Sequence, residues 1–395
     1  GLALAKGVAI SLITVFTFMP VLILAMQKWL QKSQHRSFLP GFRGFGRAVY
    51  RVMIPLVCVF AVLIVPSYLA SNANDFYYGS SKIYGDTTQY GQDVAAIEEM
   101  YGKSDTYVVM VPRGDLAAEQ ELSGALNDIP QVKSILSYVD TVGAEIPVEY
   151  LDEDIVSQLV SENYSRFVIT VEADYEGEET FDLVENIRNT VNTYYPDSYY
   201  LAGTGVSTYD LMDTITADTI KVNLIAIGAV FLVLLLTMKS LSLPVILVLA
   251  IETAVWINVS VPYFAGSVIF YISYLIISSI QLGATVDYAI LFTERYLEFK
   301  SRIGKKSAVI ETVAVVTPSV LTSGTVLAVV GFLLGYISSH GILSQLGIFI
   351  GRGSLLSLFI VLFVLPGLLY LLDGLVQRTT LHLHFYKPSK EEITK

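Results

Sequence analysis

One cysteine among 395 residues removes two classes of site at once. Cys58 has no partner in the chain for a disulfide, and no cysteine-rich metal centre can form. Histidine is almost as scarce: His35, His340, His382 and His384 are scattered, and the His382/His384 pair reads as solvated tail rather than a metal site. No GxxxxGK[ST] phosphate loop occurs, which excludes a built-in nucleotide motor of that type. No triad-like pattern marks an enzyme, and no cofactor is implied. Charge is thin as well. The chain is 15% charged and 53% hydrophobic, with mean hydropathy +0.57, a membrane-protein composition.

The charges that exist are segregated. Residues 71–217 hold 27 Asp+Glu against 6 Lys+Arg, a local net of −21, while the rest of the chain carries 9 acids and 19 bases. An acidic block of this size repels phosphates and argues against nucleic acid as a partner. Seven apolar segments are long enough to span a bilayer, at about 8–26, 48–69, 221–238, 243–264, 267–293, 313–337 and 342–372. Pro55, Pro66 and Pro366 are expected to kink these helices without ending them. The connection at 27–51 carries Lys28, Lys32, Arg36, Arg43, Arg47 and Arg51 and no acid, and 294–312 and the tail are also basic. All three are expected on the cytoplasmic side, which alternation then denies to 71–217.

Within 71–217, strand patterns at 106–112, 132–139, 166–173 and 198–202 alternate with helical patterns at about 115–127 and 179–195. The order βαββαβ predicts a ferredoxin-like unit. An acidic helix near 149–163 reads as an insertion, and 89–101 as a lead-in helix. A further helix from about 206 should run into the membrane at Lys221. The chain's two ends also repeat one another. Residues 1–26 align without gaps on 347–372, with identities at Gly1/Gly347, Gly7/Gly353, Ser11/Ser357 and Pro20/Pro366, and with Lys6 opposite Arg352. Parallel repeats of this kind build many transporters. They predict that the chain holds the last helix of a first repeat, followed by one complete second repeat.

From Phe264 to Thr293 the only ionisable acid or base is Asp287. An ionised carboxylate at membrane depth costs at least ~2.5–3.5 kcal/mol, so such a residue is paired, protonated or used to move an ion. A helix–helix hydrogen-bond anchor is the competing reading. Ser279, Gly283 and Asp287 recur every four residues and share a helical face, where small residues admit a close partner. A carboxyl desolvated there is able to take up and release a proton. Tyr288 either offers its hydroxyl to a relay or packs against lipid. Thr317, Thr322, Ser323 and Thr325 offer hydroxyls for a proton wire, or bond their own backbone. Glu252 is a second intramembrane acid, for the relay, a substrate path or a cavity without a transport role. Arg352 either neutralises an acid or snorkels outward.

The stretch GATVDYAILFTERYLE (283–298) resembles the proton-relay helix of the resistance-nodulation-division superfamily, in its MMPL-like branch. SDTYVVMVP, LTSGTVLAVVGF (321–332) and the Gly…Ser…Pro terminal helix extend the resemblance over nearly the whole chain. It implies an α-helical polytopic membrane protein with seven transmembrane helices here and an extracytoplasmic α+β ferredoxin-like porter domain. The expected divisions are 1–26 last helix of the first repeat, 27–47 basic linker, 48–70 transmembrane helix, 71–217 porter domain, 218–372 five-helix bundle and 373–395 cytoplasmic tail. Asp287 and Tyr288 match the family's relay pair, with Thr322, Ser323, Thr325, Glu252 and Arg352 in support and Ser279 and Gly283 in helix packing. The implied activity is export of lipids or other amphiphiles across a bacterial plasma membrane, driven by the proton gradient. The implied partners are the first repeat of the same protein, the substrate and the membrane, with homo-oligomerisation left open. The lysine that the antibiotic-pump branch places in this helix is missing. The rival expectations are a SecDF-like accessory of protein translocation and a non-transporting sterol-sensing-like lipid sensor.

Overall fold

The computed structural model describes residues 2–32, 41–79, 83–85, 88–143 and 153–381. The chain divides into two units, Gly1–Phe42 and Arg43–Lys395. In the first, α1 (Leu2–Ala25) continues through Pro20, and a short α2 (Gln27–Lys32) follows. Apolar side chains surround α1 on every side and leave no polar face, as expected of a helix bathed in hydrocarbon.

The second unit opens with α3 (Arg43–Asn72), which runs unbroken through Pro55 and Pro66. A small α/β body follows: β1 (Phe76–Tyr77), α4 (Gln89–Tyr101), β2 (Asp105–Pro112), α5 (Leu116–Asn127), β3 (Val132–Leu136), α6 (Tyr138–Thr141), α7 (Glu153–Leu159), β4 (Tyr164–Val171), α8 (Glu178–Tyr194) and β5 (Tyr200–Gly203). The four long strands form an antiparallel sheet in the order β3-β4-β2-β5. Alternation along β2 and β4 points Tyr107, Val109, Val111, Phe167, Ile169 and Val171 to one face, where they are buried with Leu122 and Leu126 of α5 and Val184, Ile187 and Val191 of α8. Two differences from the sequence reading have local causes. The strand expected at 132–139 stops at Leu136 because the Ser137 hydroxyl accepts the Asp140 amide and starts α6. Of the helix expected at 149–163, residues 153–159 are helical, 149–152 lie outside the described residues, and Val160 pairs with Ser165 to lead into β4.

The remaining helices are α9 (Thr204–Met238), α10 (Ser242–Ala265), α11 (Tyr271–Lys300), α12 (Lys305–Ile337), α13 (Gly341–Phe359), α14 (Leu365–Leu371) and α15 (Asp373–Thr379), with β6 (Ile269–Phe270) before α11. A π turn at Ile360–Val364 joins α13 to α14 ahead of Pro366, so the kink expected there is a widened turn. Among the described residues, seven helices are long and apolar enough to cross a membrane, matching the seven segments read from sequence. α9 carries the chain from β5 to Met238 without a break, as expected of a helix that starts near 206 and runs on past Lys221.

The ends of the bundle differ. At one end β1 pairs in parallel with β6, and the Asn74 amide donates to the Val259 carbonyl, so the sheet body leaves the bundle there. α11 then runs about 45 Å to the opposite end, where the basic turn at 301–304 lies. At that far end the buried Lys300 ammonium donates to Asp373, Lys305 lies 3.8 Å from the same carboxylate, and Gln377 donates to it over 3.0 Å. Residues 373–381 are therefore packed structure rather than the tail the sequence suggested. Asp373 is buried, and Thr380 donates to Ser240.

The tightest helix pair is α12 with α13. Gly331 and Gly335 of α12 face Gly347 and Gly351 of α13, and a Cβ on Gly347 would lie 2.4 Å from the Gly335 nitrogen. Two small-xxx-small patterns thus bring the backbones into direct contact. The sequence holds both patterns, and their pairing across the hairpin is visible only in the fold.

Candidate functional site

A polar seam runs between α10, α11, α12 and α13. Gln281, Thr285 and Tyr288 follow one another at spacings of four and three along α11, so they share a face. The Gln281 side-chain oxygen accepts from the Asn258 amide at 2.8 Å. Thr285 and Ser357 hydroxyls meet at 2.8 Å. Tyr288 and Ser323 hydroxyls meet at 3.0 Å. Between these contacts lies a crevice of about 10 Å³, close to the size of a single water site, lined by Gln281, Thr285, Tyr288, Ser354 and Ser357. In an apolar bundle polar groups must find local partners, and of this set the buried Gln281 Nε2 has none among the described residues.

Arg352 closes the end of the seam nearer the sheet body. Its Nε donates to the Asn258 side-chain oxygen and its Nη2 to the Asn258 carbonyl, each at 2.7 Å, and its guanidinium lies 5.1 Å from the Phe349 ring centre. It neither neutralises an acid nor snorkels outward: its acceptors are the polar atoms of one asparagine. Asn258, Gln281 and Thr285 were not singled out from the sequence, and Ser357 only as a match between the chain's two ends. Amides and hydroxyls inside apolar runs were the available signal, and only the packing of four helices assembles them.

Asp287 lies off this seam. It is about a quarter turn from Tyr288 and exposed, on the same open face as Ser279 and Gly283. Among the described residues no hydrogen bond or ion pair reaches its carboxylate. A Cβ on Gly283 would meet nothing within 4 Å, and Ser279 bonds its own helix at the Leu275 carbonyl. The close partner helix expected on this face is not supplied by the described residues of the Arg43–Lys395 unit. The hydroxyls expected in support divide. Ser323 joins Tyr288, while Thr322 and Thr317 bond the carbonyls of Pro318 and Val313 four residues back, the backbone alternative. Thr325 is exposed, with no hydrogen bond among the described residues. Glu252 is remote from the Tyr288–Ser323 contact and lines a separate cavity between α3, α9, α10 and α11.

No three His, Cys, Asp or Glu side chains are grouped to hold a metal ion among the described residues. In the sheet body, the buried Glu119 accepts the Ser165 hydroxyl at 2.8 Å, and burial pushes its carboxyl above the usual carboxylate range. Burial likewise raises the Tyr107 phenol.

Comparison with known proteins gives this geometry a family. The chain is 26% identical over 219 residues to the probable transport protein MmpL9 of Mycobacterium tuberculosis, covering 52% of this chain and 23% of that protein. Its fold matches a crystal structure of a heavy metal efflux pump with a TM-score of 0.52, at 12% identity, over 82% of this chain and 48% of the pump. The chain thus spans less than half the length of either. A sequence profile of the MMPL family matches residues 87–382. With the seven bilayer-length helices, this match makes the chain a multi-pass membrane protein that belongs to the MMPL family.

Proposed function

We propose that this chain is part of a proton-driven exporter of lipids or other hydrophobic or amphiphilic molecules in a bacterial plasma membrane. The observation that carries the reading is Asp287, a carboxyl at membrane depth with no partner among the described residues of its own unit, next to a tyrosine already hydrogen-bonded across to α12. A group that binds and releases protons must keep access to them and must gain by changing charge. Protonation cancels the charge and lets a facing helix close on the Ser279–Gly283–Asp287 face. That helix belongs, in this reading, to the first repeat of the same protein, whose relatives are longer than this chain. A proton moving down ~100 mV supplies about 2.3 kcal/mol for the rearrangement.

The sheet body supports a ferredoxin-like porter domain, since its strand order and antiparallel pairing fit the split βαβ pattern. Its acidic charge and its place opposite the basic turn at 301–304 favour the extracytoplasmic side. α9, continuous from β5 into the bundle, is the rod that carries motion between the two. The test is substrate efflux from cells or proteoliposomes under an imposed pH gradient, normalised to folded protein. Asp287→Asn keeps the shape and hydrogen-bonding capacity but cannot shuttle a proton, so efflux is expected to stop while insertion persists. Tyr288→Phe is expected to be milder, because water can replace one hydroxyl. Wild-type efflux from Asp287→Asn would remove the relay and promote the lipid-sensor reading.

A further inference from the structure

Glu252 sits near the middle of α10, facing a cavity of about 260 Å³ bounded by α3, α9, α10 and α11. The cavity lies in the half of the bundle nearer the sheet body, since α3 contributes its last turns and α11 its first. Three aromatic side chains line it. Tyr68 meets Trp256 edge-to-face at 5.1 Å, and Tyr274 stands opposite on α11. Its other polar side chains are already occupied: Ser278 donates to the Asn223 side-chain oxygen at 3.5 Å, and Ser71 and Asn72 donate to the Tyr68 carbonyl. Alanine, valine, leucine and isoleucine supply the apolar wall.

Two features of this lining stand together. It contains one carboxylate and no Lys, Arg or His. Among the described residues, no hydrogen bond or ion pair is made to that carboxylate. An acid with no use in a membrane helix is a standing cost, and the neighbouring amide and hydroxyls are turned to one another instead of to it. Electron-rich ring faces beside a lone carboxylate form the chemical complement of an organic ammonium, which gains from both the charge and the rings. A concave space with aromatic and aliphatic walls and one charged group is also a usual form of a small-ligand site.

We infer that this cavity binds the head of an amphiphile carrying an organic ammonium group, with its alkyl portion along the α9 and α10 walls. The lining also selects among ammonium bearers. A zwitterionic phospholipid head would bring a phosphate into a space without a single cation, so the occupant is net cationic. Glu252 is then a ligand-recognition residue, separate from the Asp287 relay. The inference rests on the exporter reading only in making the occupant cargo. Binding needs no gradient, so the two readings fail in different experiments.

The chain holds two tryptophans, and Trp29 is exposed in the other unit, so Trp29→Phe leaves Trp256 as a reporter inside the cavity. The purified chain in uncharged maltoside micelles is titrated with dodecyltrimethylammonium, with dodecanol and with a short-chain phosphatidylethanolamine, following Trp256 emission. The expected result is saturation by the ammonium amphiphile at a concentration at least tenfold lower than for the other two. Glu252→Gln in the same background is expected to erase that preference, with the uncharged arm unmoved. Equal response to dodecanol, or a preference that survives Glu252→Gln, overturns the inference. Equal binding of phosphatidylethanolamine overturns its net-cationic part. The comparison of ligands on the unsubstituted Glu252 cavity stands even if the variant folds poorly.

Discussion

Gly347→Ala is the sharpest probe of how the α12–α13 hairpin is built. The added Cβ would lie 2.4 Å from the Gly335 nitrogen and 2.7 Å from the Gly331 oxygen. Comfortable contacts for carbon begin near ~3.5 Å, so the helices must part by about 1 Å at their crossing. Both obstacles are backbone, and no side chain can rotate out of the way. Overpacking of this kind costs roughly 1–3 kcal/mol, while replacing glycine in a helix returns up to about 1 kcal/mol. Gly283→Ala on the open face of α11 isolates the second effect, because nothing lies within 4 Å of its Cβ. The difference between the two variants should therefore be about 1–3 kcal/mol, with Gly283→Ala the more stable. Reversible unfolding by SDS in mixed micelles measures both. Equal stabilities would refute the backbone contact between α12 and α13.

Lys300→Met leaves the buried Asp373 with Gln377 and the more distant Lys305, and should destabilise in the same assay by less than the ~3–5 kcal/mol of a fully stripped pair, with Lys300→Met/Asp373→Leu recovering most of the loss. In the sheet body, burial raises the Glu119 carboxyl, so the folded state binds more protons than the unfolded one across that window. Stability then falls as pH rises through it, and Glu119→Gln should raise the melting temperature at neutral pH and flatten the slope. Circular dichroism melts at mildly acidic and neutral pH check both. Thr322→Val should leave gradient-driven efflux unchanged because its hydroxyl serves the Pro318 carbonyl, whereas Ser323→Ala should match the mild loss of Tyr288→Phe.

Much of this architecture is written in local pattern. Bilayer-length apolar runs mark the seven helices, and alternation such as that of TYVVMVP marks the central strands, because both periods follow from backbone geometry. The lone acid at 287 could be found from sequence for the same reason: the surrounding absence of charge is itself local. What escaped depends on partners far apart in the chain. Lys300 read only as a topology charge until Asp373 closed on it. Arg352 read as neutralising an acid or snorkelling outward, and instead it donates to one asparagine 94 positions away. Thr322 and Ser323 are adjacent and chemically alike, yet one faces its own helix and the other faces Tyr288, a choice made by helix rotation that composition does not reveal. Gly283 was expected to admit a neighbour, and its face is open in this unit.

The central claim is that Asp287 binds and releases a proton within the membrane. Infrared difference spectroscopy of the protein in lipid, recorded as pH is lowered, observes this directly through the carbonyl stretch of a newly protonated carboxyl. The account predicts a band that appears on acidification, reverses on return to neutral pH, and is absent from Asp287→Asn. A spectrum unchanged by Asp287→Asn across the range in which the protein stays folded would contradict it.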